Sequence, residues 1–144
     1  MPIKTFRGLI ADNAIDTIAL HTRDGSIGYK IVKFEIMLYK PGVLIQESVV
    51  EIHRTSPPAP TGIIDFSNQS LLAAGVLQGH DSSAYQFVQQ TIFDNIIFNQ
   101  DIYVTHIDVD GTAPVNYYIE LEQVKLDLNE NTVATLQDIR NIES

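Results

Sequence analysis

The sequence predicts an all-β, single-domain fold: a β-sandwich, with the jelly roll among its topologies, plus one short internal helix and a C-terminal helix or arm. Three observations lead there. Apolar residues recur at every second position over much of the 144-residue chain, the period of a half-buried strand. Turn signals such as Asp24-Gly25, Pro41-Gly42 and Asp110-Gly111 punctuate those runs at short spacing, giving roughly eight strands. The length fits one domain, divided here into a sandwich over 1–128 and a helix or docking arm over 129–144. Pattern alone does not choose between sandwich topologies.

Residues 4–10 and 17–22 read as short strands. The second is expected to form a hairpin with the next strand across Arg23-Asp24-Gly25-Ser26, because Asp-Gly tolerates positive φ. In 28–40, Val32, Phe34, Ile36 and Leu38 alternate with Lys33 and Glu35, which defines an inner face. Met37 and Tyr39 make the outer face less polar towards its end, so that end is expected to be covered. Pro41-Gly42 turns the chain, and 43–53 returns with Val50 and Ile52 alternating against Glu51 and His53. Pro57, Pro58 and Pro60 give 54–62 a stiff, extended course. It reads as a connector between sheets, or else as a surface arm touching a neighbour.

Segment 67–77 is the internal helix candidate: Ser67 or Ser70 would cap it, and Leu71, Leu72, Ala74 and Leu77 lack alternation. Gly75 weakens that helix by up to about 1 kcal/mol against Ala. After a turn at 79–83 come strand-like runs at 85–93 and 96–98, divided at Asp94-Asn95. Runs 102–109 and 115–121 read as a hairpin hinged at Asp110-Gly111, with Val115, Tyr117, Ile119 and Leu121 on one face. Val124, Leu126 and Leu128 then take the other parity, so a bulge or a new packing partner is expected near Glu122 and Gln123. In 129–142, capped by Asn129, apolar residues fall every third position and drift around a helix without a firm stripe.

The chain carries a formal charge of −9, and its basic residues are scattered singly. This argues against nucleic acid, whose binding draws on clustered Lys and Arg. No run approaches about 18 apolar residues, so no membrane span is expected. The first eight residues contain no apolar h-region, so no secretory signal is expected either. The absence of cysteine excludes disulfides, thiolate zinc sites and cysteine nucleophiles.

His21, His53, His80 and His106 lie far apart and form none of the local pairs of a cupin-type or zinc-protease site, leaving only a long-range three-histidine site as a metal alternative. Asp108-Val109-Asp110-Gly111 opens like a calcium loop, yet the third acidic position and the distal Glu are missing. A turn accounts for it. Gly25-Ser26-Ile27-Gly28 is too short and wrongly placed for a hydrolase elbow. Glu120 and Glu122 on one strand face suit a solvated edge better than a glycosidase pair. Neither an enzyme nor a cofactor is expected. Tyr103, Tyr117 and Tyr118 read either as cross-strand packing or as a sugar-binding face.

The wording of 93–106 (FDNIIFNQDIYVTH) and 115–128 (VNYYIELEQVKLDL), with KTFRGL at 4–9 and GYKIVKF at 28–34, resembles small capsid-associated virion proteins of marine bacteriophages. The resemblance implies a decoration, cement or vertex component of the virion, made in the host cytoplasm. It would act as a homo-oligomer docked on other virion proteins such as the major capsid protein. No functional residues come with it. The termini are the expected docking elements, because neither has an evident home on a sheet: Phe6 and Arg7 at one end, Val133, Leu136, Ile139 and Arg140 at the other. The alternatives are a receptor- or glycan-binding module and an ordinary β-sandwich adaptor.

Overall fold

In the computed structural model, which describes residues 2–43, 45–79 and 88–126, the chain forms eight strands and, among the described residues, no helix. They are β1 (Ile3–Ile10), β2 (Ala14–Ile18), β3 (Ile27–Leu38), β4 (Gln46–His53), β5 (Leu71–Gly79), β6 (Val88–Phe93), β7 (Ile102–Asp108) and β8 (Val115–Lys125). A three-stranded sheet has the order β1-β8-β3 and a five-stranded sheet the order β2-β7-β4-β5-β6. Every pairing is antiparallel. The two sheets face each other across one apolar layer, so the sandwich expectation holds.

Several connections depart from the sequence reading. The run at Asp24-Gly25 does not close a hairpin: β2 pairs with β7 and β3 with β8, in different sheets. The turn at Asp110-Gly111 likewise carries the chain from β7 in the larger sheet to β8 in the smaller one. Turn residues fix a change of direction, while the partner is chosen by which inner faces must meet. The prolines join β4 to β5, neighbours in the same sheet, so 54–70 is not a connector between sheets. The N-terminal segment has a home after all, since all eight residues of β1 pair with β8. Residues 129–142, with Val133, Leu136, Ile139 and Arg140, lie outside the described residues, as does most of the turn expected at 79–83.

The internal helix is corrected to a strand, β5. Its apolar run lacks alternation because both of its faces are covered: Ala73 and Leu77 point to the core, and Ala74 is only 5% exposed on the other side. A strand buried on both faces loses the period that identifies it. Gly75 and Gly79 have a packing role there. A Cβ on Gly75 would stand 3.0 Å from Ile36 Cδ1 and 3.3 Å from Phe34 Cε2, and one on Gly79 would stand 2.6 Å from Leu38 Cδ1. The large inner side chains of β3 therefore rest on the bare backbone of β5.

β8 keeps its register through Glu122 and Gln123, so no bulge forms there; the irregularity is in the partner strand β3. Register slips between Ile31 and Lys33, opposite Leu121 and Glu120, which leaves Val32 as the extra residue. The inward set of β3 is consequently Ile31, Phe34, Ile36 and Leu38, with Val32 only half-buried. The parity change beyond Gln123 has its own cause. Leu126 packs over Gly28, whose added Cβ would meet Leu126 Cδ1 at 3.1 Å and Ile97 Cγ2 at 2.8 Å. Nearby, Phe98 bridges Tyr29 on the free side of β3.

Polar struts tie the layers. Tyr117 Oη of β8 donates to Asp16 Oδ2 of β2 at 3.1 Å. Burial, and then the Asp16 carboxylate, push the Tyr117 phenol up to about 12. Fully buried His106 hydrogen-bonds Ser48 Oγ through Nε2 (2.9 Å) and the Ala11 carbonyl through Nδ1 (3.0 Å), anchoring the β1–β2 turn to the larger sheet. That turn is closed by Asn13 at φ 59°, a conformation Asn tolerates well.

Replacing Phe34, 1% exposed, by Ala should cost about 3–5 kcal/mol in chemical denaturation. The raised Tyr117 value gives a second expectation. Its stabilising effect is complete below the unfolded phenol's ordinary value of about 10 and is lost as pH rises through about 12. Tyr117→Phe should therefore flatten the alkaline limb of the stability profile between those values, while an unchanged limb would assign it to other groups.

Candidate functional site

The outer face of the smaller sheet is assembled by register. Thr5, Glu120 and Lys33 form one row across β1, β8 and β3; Arg7, Tyr118 and Glu35 form the next; Leu9, Asn116 and Met37 form a third. Alternation points all nine side chains away from the core. Seven of them, Arg7, Leu9, Lys33, Glu35, Met37, Asn116 and Tyr118, line a cavity of about 610 Å³. Leu9 is 50% and Met37 66% exposed, so the end of β3 expected to be covered lies open among the described residues.

Tyr118 organises the charges. Its hydroxyl donates to Glu120 Oε2 at 2.7 Å, and Lys33 Nζ sits 5.8 Å from its ring centroid. The hydrogen bond to Glu120 raises the phenol's pKa, with burial and the Glu120 charge adding to it and Arg7 opposing. From β6, Gln89 Nε2 donates to Ile36 O at 2.9 Å and closes one side of the groove. The result is an apolar floor ringed by the cations Arg7 and Lys33, the carboxylate Glu35, a phenol and two carboxamides. Such a mixed rim around apolar side chains suits an apolar or planar group bearing polar atoms.

Of the docking residues expected from the sequence, Arg7 lies in this groove while Phe6 points inward and packs on the core. Adjacent strand residues face opposite ways, so the two cannot act on one surface. Leu9, Met37 and Lys33 were missed, because a one-dimensional pattern does not show which strands stand side by side. A smaller apolar patch, Phe66, Ile92 and Phe93, surrounds a cavity of about 160 Å³ at the far edge of the larger sheet.

The second polar site lies under 54–70. The ends of this segment are tied: Arg54 N donates to Ser70 O (2.9 Å), and Ser70 Oγ accepts from Thr55 N (3.1 Å) and bonds Thr55 Oγ1 (2.9 Å). Asp65 Oδ1 takes Ser67 N (2.9 Å) and Ser67 Oγ (2.6 Å), and these bonds lower its carboxyl. The loop lies back across the outer face of the larger sheet, where Gly62 comes so close to Val109 that an added Cβ would be 2.7 Å from Val109 Cγ1. Beneath it is a cavity of about 260 Å³ with Glu51, His53 and Thr105 on the floor and Pro57, Pro58 and Pro60 above.

Asp108 is engaged by the turn that the sequence favours over a calcium loop. Its Oδ1 accepts from Glu47 N and Asp110 N (both 3.1 Å) and its Oδ2 from Ala113 N (3.0 Å), fixing the β7–β8 turn. Among the described residues, no group of three or more His, Asp or Glu side chains is placed to hold a metal ion.

No protein-family model matches this chain, and no match is found among curated proteins or solved structures.

Ser70→Ala removes the hydroxyl that holds the loop's entry. A hydrogen bond of this kind contributes about 1 kcal/mol, so amide exchange at Thr55 should accelerate by roughly 5–10-fold while exchange in β7 stays unchanged. Equal acceleration in both would mean that the loop opens only with the whole sheet.

Proposed function

We propose that this chain is a virion structural protein: a capsid-associated jelly roll (decoration, cement or vertex component) that self-associates and docks on other virion proteins. The strand order carries the reading. An eight-strand ribbon folded on itself pairs strands 4 with 5, 3 with 6, 2 with 7 and 1 with 8, and rolling it up adds contacts of 8 with 3 and 7 with 4. Five of these pairings are those of β4–β5, β2–β7, β1–β8, β8–β3 and β7–β4. The departure is β6, which pairs with β5. Even so, it reaches β3 through the Gln89–Ile36 bond, and Phe98, in the segment between β6 and β7, bridges Tyr29. Jelly rolls recur in viral capsid and lectin domains.

The surface supports the same reading. The groove of Leu9 and Met37 and the patch of Phe66, Ile92 and Phe93 lie on different sheets. Two unlike patches on one protomer suit a head-to-tail contact, which closes into a ring when the rotation allows. Major capsid protein and further copies of the chain are the partners in this reading, and the virion is its location. A receptor- or glycan-binding module is the second reading, favoured by Tyr118 beside Arg7 and Lys33 in an open groove.

Light scattering over a wide concentration range, with negative-stain imaging, tests the assembly. A closed ring is expected, and Met37→Glu should dissolve it without lowering the melting temperature. Removing 129–144 should likewise spare the fold and abolish assembly. A monomer at every concentration that also fails to bind purified capsids would overturn the proposal. Sugar-dependent stabilisation lost in Tyr118→Ala would establish the second reading instead.

A further inference from the structure

The cavity beneath the proline loop has an unusual polarity for its depth. Glu51 is 4% and His53 6% exposed. Glu51 sits between Ala74 of β5 and Thr105 of β7, two small neighbours that leave room above its carboxylate. His53 stands beside it, with Nε2 3.7 Å from Oε1. That is longer than a hydrogen bond, and neither side chain makes one to any described residue. The lining adds a second carboxylate, Asp65, and includes no Lys or Arg. The prolines above contribute carbonyl oxygens and ring carbons but no N–H donors.

Burying a carboxylate costs hydration that a nearby cation offsets. A cation entering the cavity relieves that cost, whereas an anion meets two carboxylates and no donor from the prolines. Size narrows the choice: about 260 Å³ is below the roughly 300–1,000 Å³ of pockets for drug-sized ligands. From these observations we infer that the cavity binds a small organic cation, an ammonium group on an apolar stem. The ammonium bonds Glu51, and the stem lies against Pro57, Pro58 and Pro60. The site is on the sheet opposite the docking groove and stands independently of the assembly reading.

The full-length chain is titrated with n-butylammonium chloride at constant ionic strength, and binding is followed by thermal denaturation and amide chemical shifts. Saturable stabilisation is expected, with shifts centred on Glu51, His53 and Thr105, and n-butyrate should produce neither. Glu51→Gln keeps the side-chain shape and should weaken binding about tenfold, the loss of one charge-assisted hydrogen bond. If Glu51→Gln does not fold, Asp65→Asn on the exposed rim carries the test and should also weaken binding. Nα-acetyl-lysine methylamide separates two sources. If it binds as well, the natural occupant is a partner's lysine side chain; if butylammonium alone binds, it is a free amine. No saturable response, a response matched by butyrate, or unchanged affinity in the variant that folds would overturn the inference.

Discussion

The architecture rests on the close approach of β3 to β5. Phe34, Ile36 and Leu38 project from one sheet onto Gly75 and Gly79 of the other, where no side chain stands in their way. That contact brings the sheets together and lets Val50, Ile52, Val104, Ile119 and Leu121 close one continuous layer around it. A branched residue at either glycine would push the sheets apart and open voids along the layer, and packing loss grows with the volume left unfilled. The long strand β3 is therefore the keel of the molecule, held by β8 along one edge and pressed on β5 by its inner face.

Polar groups inside the layer act as locators. A buried polar atom must find its partner or lose its hydration uncompensated, so each strut admits one alignment. His106 accepts only the arrangement in which Ser48 and Ala11 stand on either side of its ring. Asp108 gathers three backbone N–H groups and sets the path from β7 to β8. Asp101 does the same for the chain leaving β2. Burial would lift its carboxyl, but the His21 ring and the backbone N–H groups of His21 and Leu20 donate to it and hold it below the ordinary value.

The two outer faces differ in how completely they are covered. One outer face, that of the smaller sheet, keeps apolar Leu9 and Met37 exposed beside charged neighbours. The other is largely roofed by the 54–70 loop, which covers Glu51 and His53 and leaves an acidic cavity beneath it. The two faces have opposite characters, one open and partly apolar, the other roofed and acidic. Arg7 was singled out for an N-terminal segment with no evident home on a sheet, whereas its outward direction comes from its place on β1. Glu51 and His53 were not: they alternate with Val50 and Ile52 as solvent-facing residues do, and only the folded-back loop removes them from water.

By itself the sequence determined the all-β class, the position of most strands and the inward face of β3 and β8. Each follows from a period of two that survives wherever one face meets water. It misread β5 as helix, because a strand covered on both sides carries no period. Tertiary structure alone decided which strands pair. Alternation states which way a side chain points and a turn states that the chain reverses, but neither names the neighbour. Asp24-Gly25 and Asp110-Gly111 were read as hairpin turns, yet both hand the chain to the opposite sheet. The energy that selects partners comes from burying Phe34, Tyr117 and Ile119 against residues distant in sequence, and that sum exists only once both sheets are in place.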